Sequence, residues 1–132
     1  MSETNGPAIS PVLRYRDAAA ALDFLENAFG FRRVADYRDG DGNVEHAEMA
    51  LGNGMVMISG ARDDMYGPHT GTGWAYVVVD DADAHHARAR EAGAEILRPI
   101  EDQDYGSRDY SARDPEGNIW SFGTYQPSLE AP

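Results

Sequence analysis

Cysteine is absent from this chain, and so is lysine: all eleven basic residues are Arg. Without thiols there is no disulfide framework and no thiolate chemistry. Long apolar runs are missing too. Nothing approaches the roughly 20 consecutive residues that span a bilayer, and there is no charged-then-apolar leader pattern. A cytoplasmic protein without a membrane partner is the expectation. Positive charge is scarce, with 11 basic residues against 23 acidic ones and a formal net charge of −12. Nucleic acid is therefore not an expected partner, since binding it needs a basic footprint. The acidity mildly favours a cationic ligand through long-range attraction. Phosphate-loop chemistry is also lacking, because Gly71-Thr72-Gly73 has no Lys-Ser/Thr ending. No Ser/His/Asp spacing supports a nucleophile.

What is present is enough for one compact domain or two small, tightly joined modules: 132 residues, 42% of them hydrophobic. The organising stretch is Asp114-Pro115-Glu116-Gly117-Asn118. Pro115 pre-sets φ at the second turn position, and Gly117 can take positive φ without steric strain. Arg108–Arg113 before the turn and Ile119–Tyr125 after it read as a hairpin. Alternation puts Ile119, Ser121 and Gly123 on a small, permissive face and Trp120 and Phe122 on a bulky one fit to pack under a helix.

Earlier in the chain, Ile9–Tyr15 reads as a first strand. Asp17 caps a helix with apolar residues at Ala18, Ala21, Leu22, Leu25, Ala28 and Phe29, and Gly30 stops it. Phe31–Arg38 is a second strand. Val44–Leu51 and Gly54–Ser59 form a hairpin about Gly52-Asn53, so Glu48 faces Met57 and Ala50 faces Met55. Ala47, Met49, Val56 and Ile58 then share an apolar face, and His46, Glu48, Met55 and Met57 a mixed one. Trp74–Val79 is a strand, Asp81 caps a second helix that ends at Gly93, and Ile96–Ile100, with Pro99, reads as an edge strand. The pattern of capping Asp, stop Gly and hairpin Gly repeats, which predicts an α+β fold of two tandem βαβββ modules. The expected boundaries are a flexible N-terminus over 1–8, modules over 9–60 and 74–125, a linker over 61–73 and a tail over 126–132.

These features resemble the vicinal oxygen chelate superfamily, which holds glyoxalase I, extradiol dioxygenases and bleomycin-resistance proteins. The resemblance is carried by the two modules, the glycine ending each first helix, and Tyr105-Gly106-Ser107-Arg108 followed by Asp-Pro-Glu-Gly-Asn. It implies cupped mixed sheets that enclose a crevice, and a homodimer. In metal-dependent members four strand positions carry His, Gln or Glu. Here they match Ser10, Met57, Trp74 and Ser121. Neutral hydroxyls are weak ligands, thioethers suit Cu(I), and Trp does not coordinate. The resemblance is thus to the metal-free, bleomycin-resistance-like members, with no cofactor and no catalytic residue assigned.

The expected function is binding of a small molecule, such as an antibiotic or peptide natural product, in that crevice. The alternative is a lyase, isomerase or dioxygenase using an atypical metal set. Trp74 and Tyr76 form an aromatic wall in the first reading. Met55 and Met57 supply an adaptable surface. His46 and Glu48, two apart on one strand, form a polar wall; they would lead the metal set in the alternative, and Glu48 could be a general base or counter-charge. Ser10, Ser111 and Ser121 line the crevice, and Asp109 adds negative charge. Among the other histidines, His85 is expected semi-buried, His86 solvated and His69 in the linker.

Overall fold

A computed structural model describes residues 6–130. Most of the flexible start expected over 1–8, and the last two residues of the tail, lie outside that range. The element order is β1 (Val12–Tyr15), α1 (Ala18–Phe29), β2 (Arg32–Arg38), β3 (Val44–Leu51), β4 (Gly54–Gly60), β5 (Trp74–Val78), α2 (Ala82–Glu91), β6 (Glu95–Asp102), β7 (Arg108–Arg113) and β8 (Ile119–Gly123). Each half is β-α-β-β-β. The two four-stranded sheets run β1-β4-β3-β2 and β5-β8-β7-β6, with β1 parallel to β4 and β5 parallel to β8. None of the helices is long and apolar enough to cross a membrane among the described residues.

Local chemistry explains the boundaries. The Asp17 side chain accepts the Ala20 N–H, and Asp81 repeats the cap on Ala84. Gly30 is left-handed at φ 80°; its N–H bonds to Glu26 O, the αL cap, and the N–H of Phe31 bonds to Leu25 O, closing α1. The first strand starts at Val12 rather than Ile9, because Pro11 has no N–H to give the ladder. It still offers its carbonyl to Met57 N at 2.9 Å. Strand β6 is the expected edge, but longer, running from Glu95 to Asp102 across two irregularities around Pro99. The β3–β4 hairpin turns at Gly52-Asn53 with Ala50 opposite Met55 and Glu48 opposite Met57, the expected register. Ala47, Met49, Val56 and Ile58 are buried accordingly.

The helix-side faces of both sheets share one core. Leu22, Leu25, Phe29, Met49 and Ile58 from the first half meet Ala89, Tyr110, Trp120 and Phe122 from the second. Phe29 lies 5.9 Å from Trp120 and 4.8 Å from Phe122, ring to ring. Three polar locks reinforce this seam. Asp114, in the last hairpin, accepts from Tyr15 Oη at 2.6 Å, Trp120 Nε1 at 3.1 Å and Asn118 Nδ2 at 3.1 Å. Glu116 accepts the backbone N–H groups of Arg16 and Asp17 just before α1. At the other end of α1, Arg88 of α2 donates to the carbonyls of Asn27 and Glu26, and His85 lies 2.8 Å from the carbonyl of Phe29. His86 is not fully solvated as expected; its ring sits edge-on to Tyr110 at 5.0 Å.

Candidate functional site

The face of each sheet turned away from this common core is open. On the second sheet, paired residues line up in three cross-strand rows: Trp74, Ile119, Arg113 and Glu95; Tyr76, Ser121, Ser111 and Arg98; Val78, Gly123, Asp109 and Glu101. Directly paired residues share a face, so the alternation that buries Trp120 and Phe122 also places Trp74, Tyr76, Ser111 and Ser121 together. Trp74 is 74% exposed and Trp120 1%. Yet the Trp74 indole is anchored, because Nε1–H donates to Ser121 Oγ at 3.1 Å. Ser121 Oγ lies in turn 2.7 Å from Ser111 Oγ. The result is an aromatic ring held in place at its polar edge with much of its surface open. Tyr76 donates its hydroxyl to the Tyr125 carbonyl.

Asp109 shares this face but not as a free charge. It is 1% exposed, and it accepts from Arg98 Nη1 at 2.6 Å, Tyr105 Oη at 3.0 Å and Gln103 Nε2 at 3.1 Å. Burial alone would raise its pKa; the bonds from Arg98 and Tyr105 outweigh burial and hold it below the usual carboxylate range. The negative potential expected from Asp109 is therefore compensated on the spot. Gly123 makes this close packing possible, since a Cβ there would lie 2.7 Å from both Asp109 Cβ and Tyr76 Oη.

On the first sheet, His46 and Glu48 do meet: Nε2 and Oε2 are 2.8 Å apart, and Tyr37 stacks on the imidazole at 6.2 Å. His46 and Met57 line a cavity of about 570 Å³ with Val12, Arg14, Tyr66 and His69. Its wall is the segment expected to be a plain linker. Arg14 pins that segment, with Nη1 and Nη2 donating to the Asp64 carboxylate at 2.9 and 2.8 Å and Nη1 also to the Gly67 carbonyl. The Arg14 bonds hold Asp64 down to about 2. Tyr66 lies over the guanidinium, 5.7 Å from ring centroid to Cζ. The roles of Arg14, Tyr66, His69 and Arg98 were missed in the sequence. An Arg on an otherwise apolar β1 was the available signal for the first; the others depend on loop conformation and bulged register.

The expected site residues thus fall into groups. Trp74, Ser121 and Ser111 form one hydrogen-bonded set. His46, Glu48 and Met57 belong to the first-sheet cavity or its rim. Met55 and Tyr76 line a groove between the halves, with Phe31, Leu51 and Val77. Ser10 precedes β1 and is half-buried. Nothing unites all ten within one chain.

A divalent metal does not fit the four family positions. Trp74 and Ser121 hydrogen-bond to each other, Met57 offers only a thioether, and Ser10 stands outside the strand. Elsewhere, no three His, Asp or Glu side chains converge as a metal cage among the described residues.

Two β-α-β-β-β units with helix faces joined and open sheet faces turned outward define a class of two-module α+β proteins. The chain belongs to the glyoxalase/bleomycin resistance protein/dioxygenase superfamily, whose family model matches residues 9–122. It is similar to TioX from Micromonospora sp. ML1, at 34% identity and a TM-score of 0.81 over 92% of this chain and all of that one. An uncharacterised protein of Mycobacterium bovis is also 34% identical, over 94% of this chain and 86% of the relative. A glyoxalase/bleomycin resistance protein from Streptomyces sp. CB03234 shares the fold at 22% identity, with a TM-score of 0.67 over 84% of this chain and 94% of that one.

Proposed function

We propose that this protein binds a small organic molecule without a catalytic metal, holding a flat aromatic part of it against Trp74. The observation that carries this reading is the anchored, open indole of Trp74. An exposed Trp normally costs solvation and gains nothing; one held at its N–H offers a stacking surface at low entropy cost. Bleomycin-resistance-like binding of an antibiotic or peptide natural product is the form this function takes, supported by the family and by the lack of suitable metal ligands at the four positions.

The crevice is completed by a second copy. Within one chain the open faces turn away from the shared core, so neither sheet covers the other. Val12, Trp74, Tyr76 and Val78 are left in water, and a homodimer would cover such faces.

The test is a ligand screen read through Trp fluorescence, repeated on Trp74→Ala. Loss of roughly five- to thirtyfold in affinity with an unchanged melting curve is the expected result. Equal affinity in the variant would remove the basis of the proposal. A second reading is favoured by the His46–Glu48 contact: a metal-dependent enzyme with an atypical ligand set. Elemental analysis of protein purified without chelator decides between them, and a stoichiometric metal lost in His46→Ala would establish the second.

A further inference from the structure

We propose that the Trp74 face selects a planar ring bearing a hydrogen-bond acceptor, a carbonyl or carboxylate, rather than a cation. This deepens, and rests on, the reading of Trp74 as a stacking surface.

This face keeps donors that meet no partner among the described residues. Trp74 Nε1–H and the hydroxyls of Ser111 and Ser121 supply three protons. One goes from Trp74 to Ser121, and one joins the two serines, whichever of them donates. One hydroxyl proton is left, and no other described residue accepts it. Arg98 stands beside Ser111 in the same row. Its Nη1 serves Asp109 and Glu101, while Nε and Nη2 meet no acceptor among the described residues.

Each carboxylate of the face already has an Arg partner: Glu95 pairs with Arg113 at 2.8 Å, and Arg98 donates to Glu101 at 3.4 Å and to Asp109 at 2.6 Å. A bound cation would find the ring of Trp74 but no carboxylate without an Arg partner, and it would face Arg98. A carbonyl or carboxylate oxygen at the edge of a stacked ring would instead meet the spare hydroxyl proton and the guanidinium. Both bonds improve with negative charge on the acceptor. The net charge of −12 draws cations toward the molecule as a whole, but these short contacts set the preference at this face.

Three probes of one shape separate the possibilities: 2-naphthoate, 2-naphthamide and 2-naphthylmethylammonium. Each is titrated into the full-length protein while the two indole N–H resonances are followed by NMR, with Trp74→Phe assigning that of Trp74. The expected result is a shift of the Trp74 resonance, with 2-naphthoate and 2-naphthamide each binding about tenfold or more tightly than the ammonium. Naphthoate should also bind more tightly than naphthamide, and Arg98→Gln should erase that advantage while both still shift Trp74. If the ammonium binds best, stacking on Trp74 stands and the acceptor preference is overturned. If no probe moves the Trp74 resonance, the stacking surface itself is refuted, and this inference with it.

Discussion

At the scale of single residues, the two tryptophans divide the labour. Trp120 packs against Phe29 and Phe31 and donates Nε1–H to Asp114. Trp120→Ala should lower stability by about 3 to 5 kcal/mol, since it removes a large core side chain and one buried bond. Denaturant melts of Trp120→Ala and Trp74→Ala side by side would check this, because only the former should shift the midpoint. His85 supports a second prediction. It is wedged between Phe29, Tyr110 and Phe122, and burial pushes its pKa down, outweighing the bond to the Phe29 carbonyl; nearby Arg88 adds to the lowering. A histidine with a lowered folded pKa contributes stability that is fully present above its unfolded value, about 6.5. That stability declines as pH falls through that value toward the folded one. The melting temperature should therefore drop between pH 7.5 and 5.5. His85→Asn should melt lower at pH 7.5 but show a shallower drop.

At the scale of elements, the last hairpin clamps the start of α1. Glu116→Gln keeps the shape but leaves only one oxygen to accept the N–H groups of Arg16 and Asp17. A loss of about 1 to 3 kcal/mol is expected, measured as a shift in denaturant midpoint with unchanged slope. The elements themselves were legible because each rests on local rules: Asp caps, stop glycines, and alternation about Gly52-Asn53. The two faces of β8 were equally legible, since a period of two admits only one partner face for Trp120. Less of the site could be read. Asp109 was placed on the correct face, but its neutralisation depends on Arg98, which a bulge brings opposite Ser111 instead of leaving it in simple alternation. The segment over 61–73 has no periodicity to read. Its form comes from the long-range grip of Arg14 on Asp64, fifty residues away, and on the Gly67 carbonyl.

At the scale of the whole molecule, outward-facing sheets give a solution expectation. Sedimentation at tens of micromolar should report twice the 14.4 kDa chain mass, and a monomer at that concentration would leave each open face as a half-site. The seam between the halves carries a separate consequence, one for biosynthesis. Both ends of α1 wait for residues made later: Arg88 for its last turn, and Glu116 for the backbone that leads into its first. Tyr15 waits for Asp114. A fragment over 1–73 should accordingly be largely unfolded by circular dichroism. On a translating ribosome, Glu116 follows α1 by roughly ninety residues, which at about 5 to 20 residues per second is a delay on the order of ten seconds. Through that interval Leu22, Leu25 and Phe29 have no finished partner, and the nascent chain offers its first helix to any chaperone waiting at the exit.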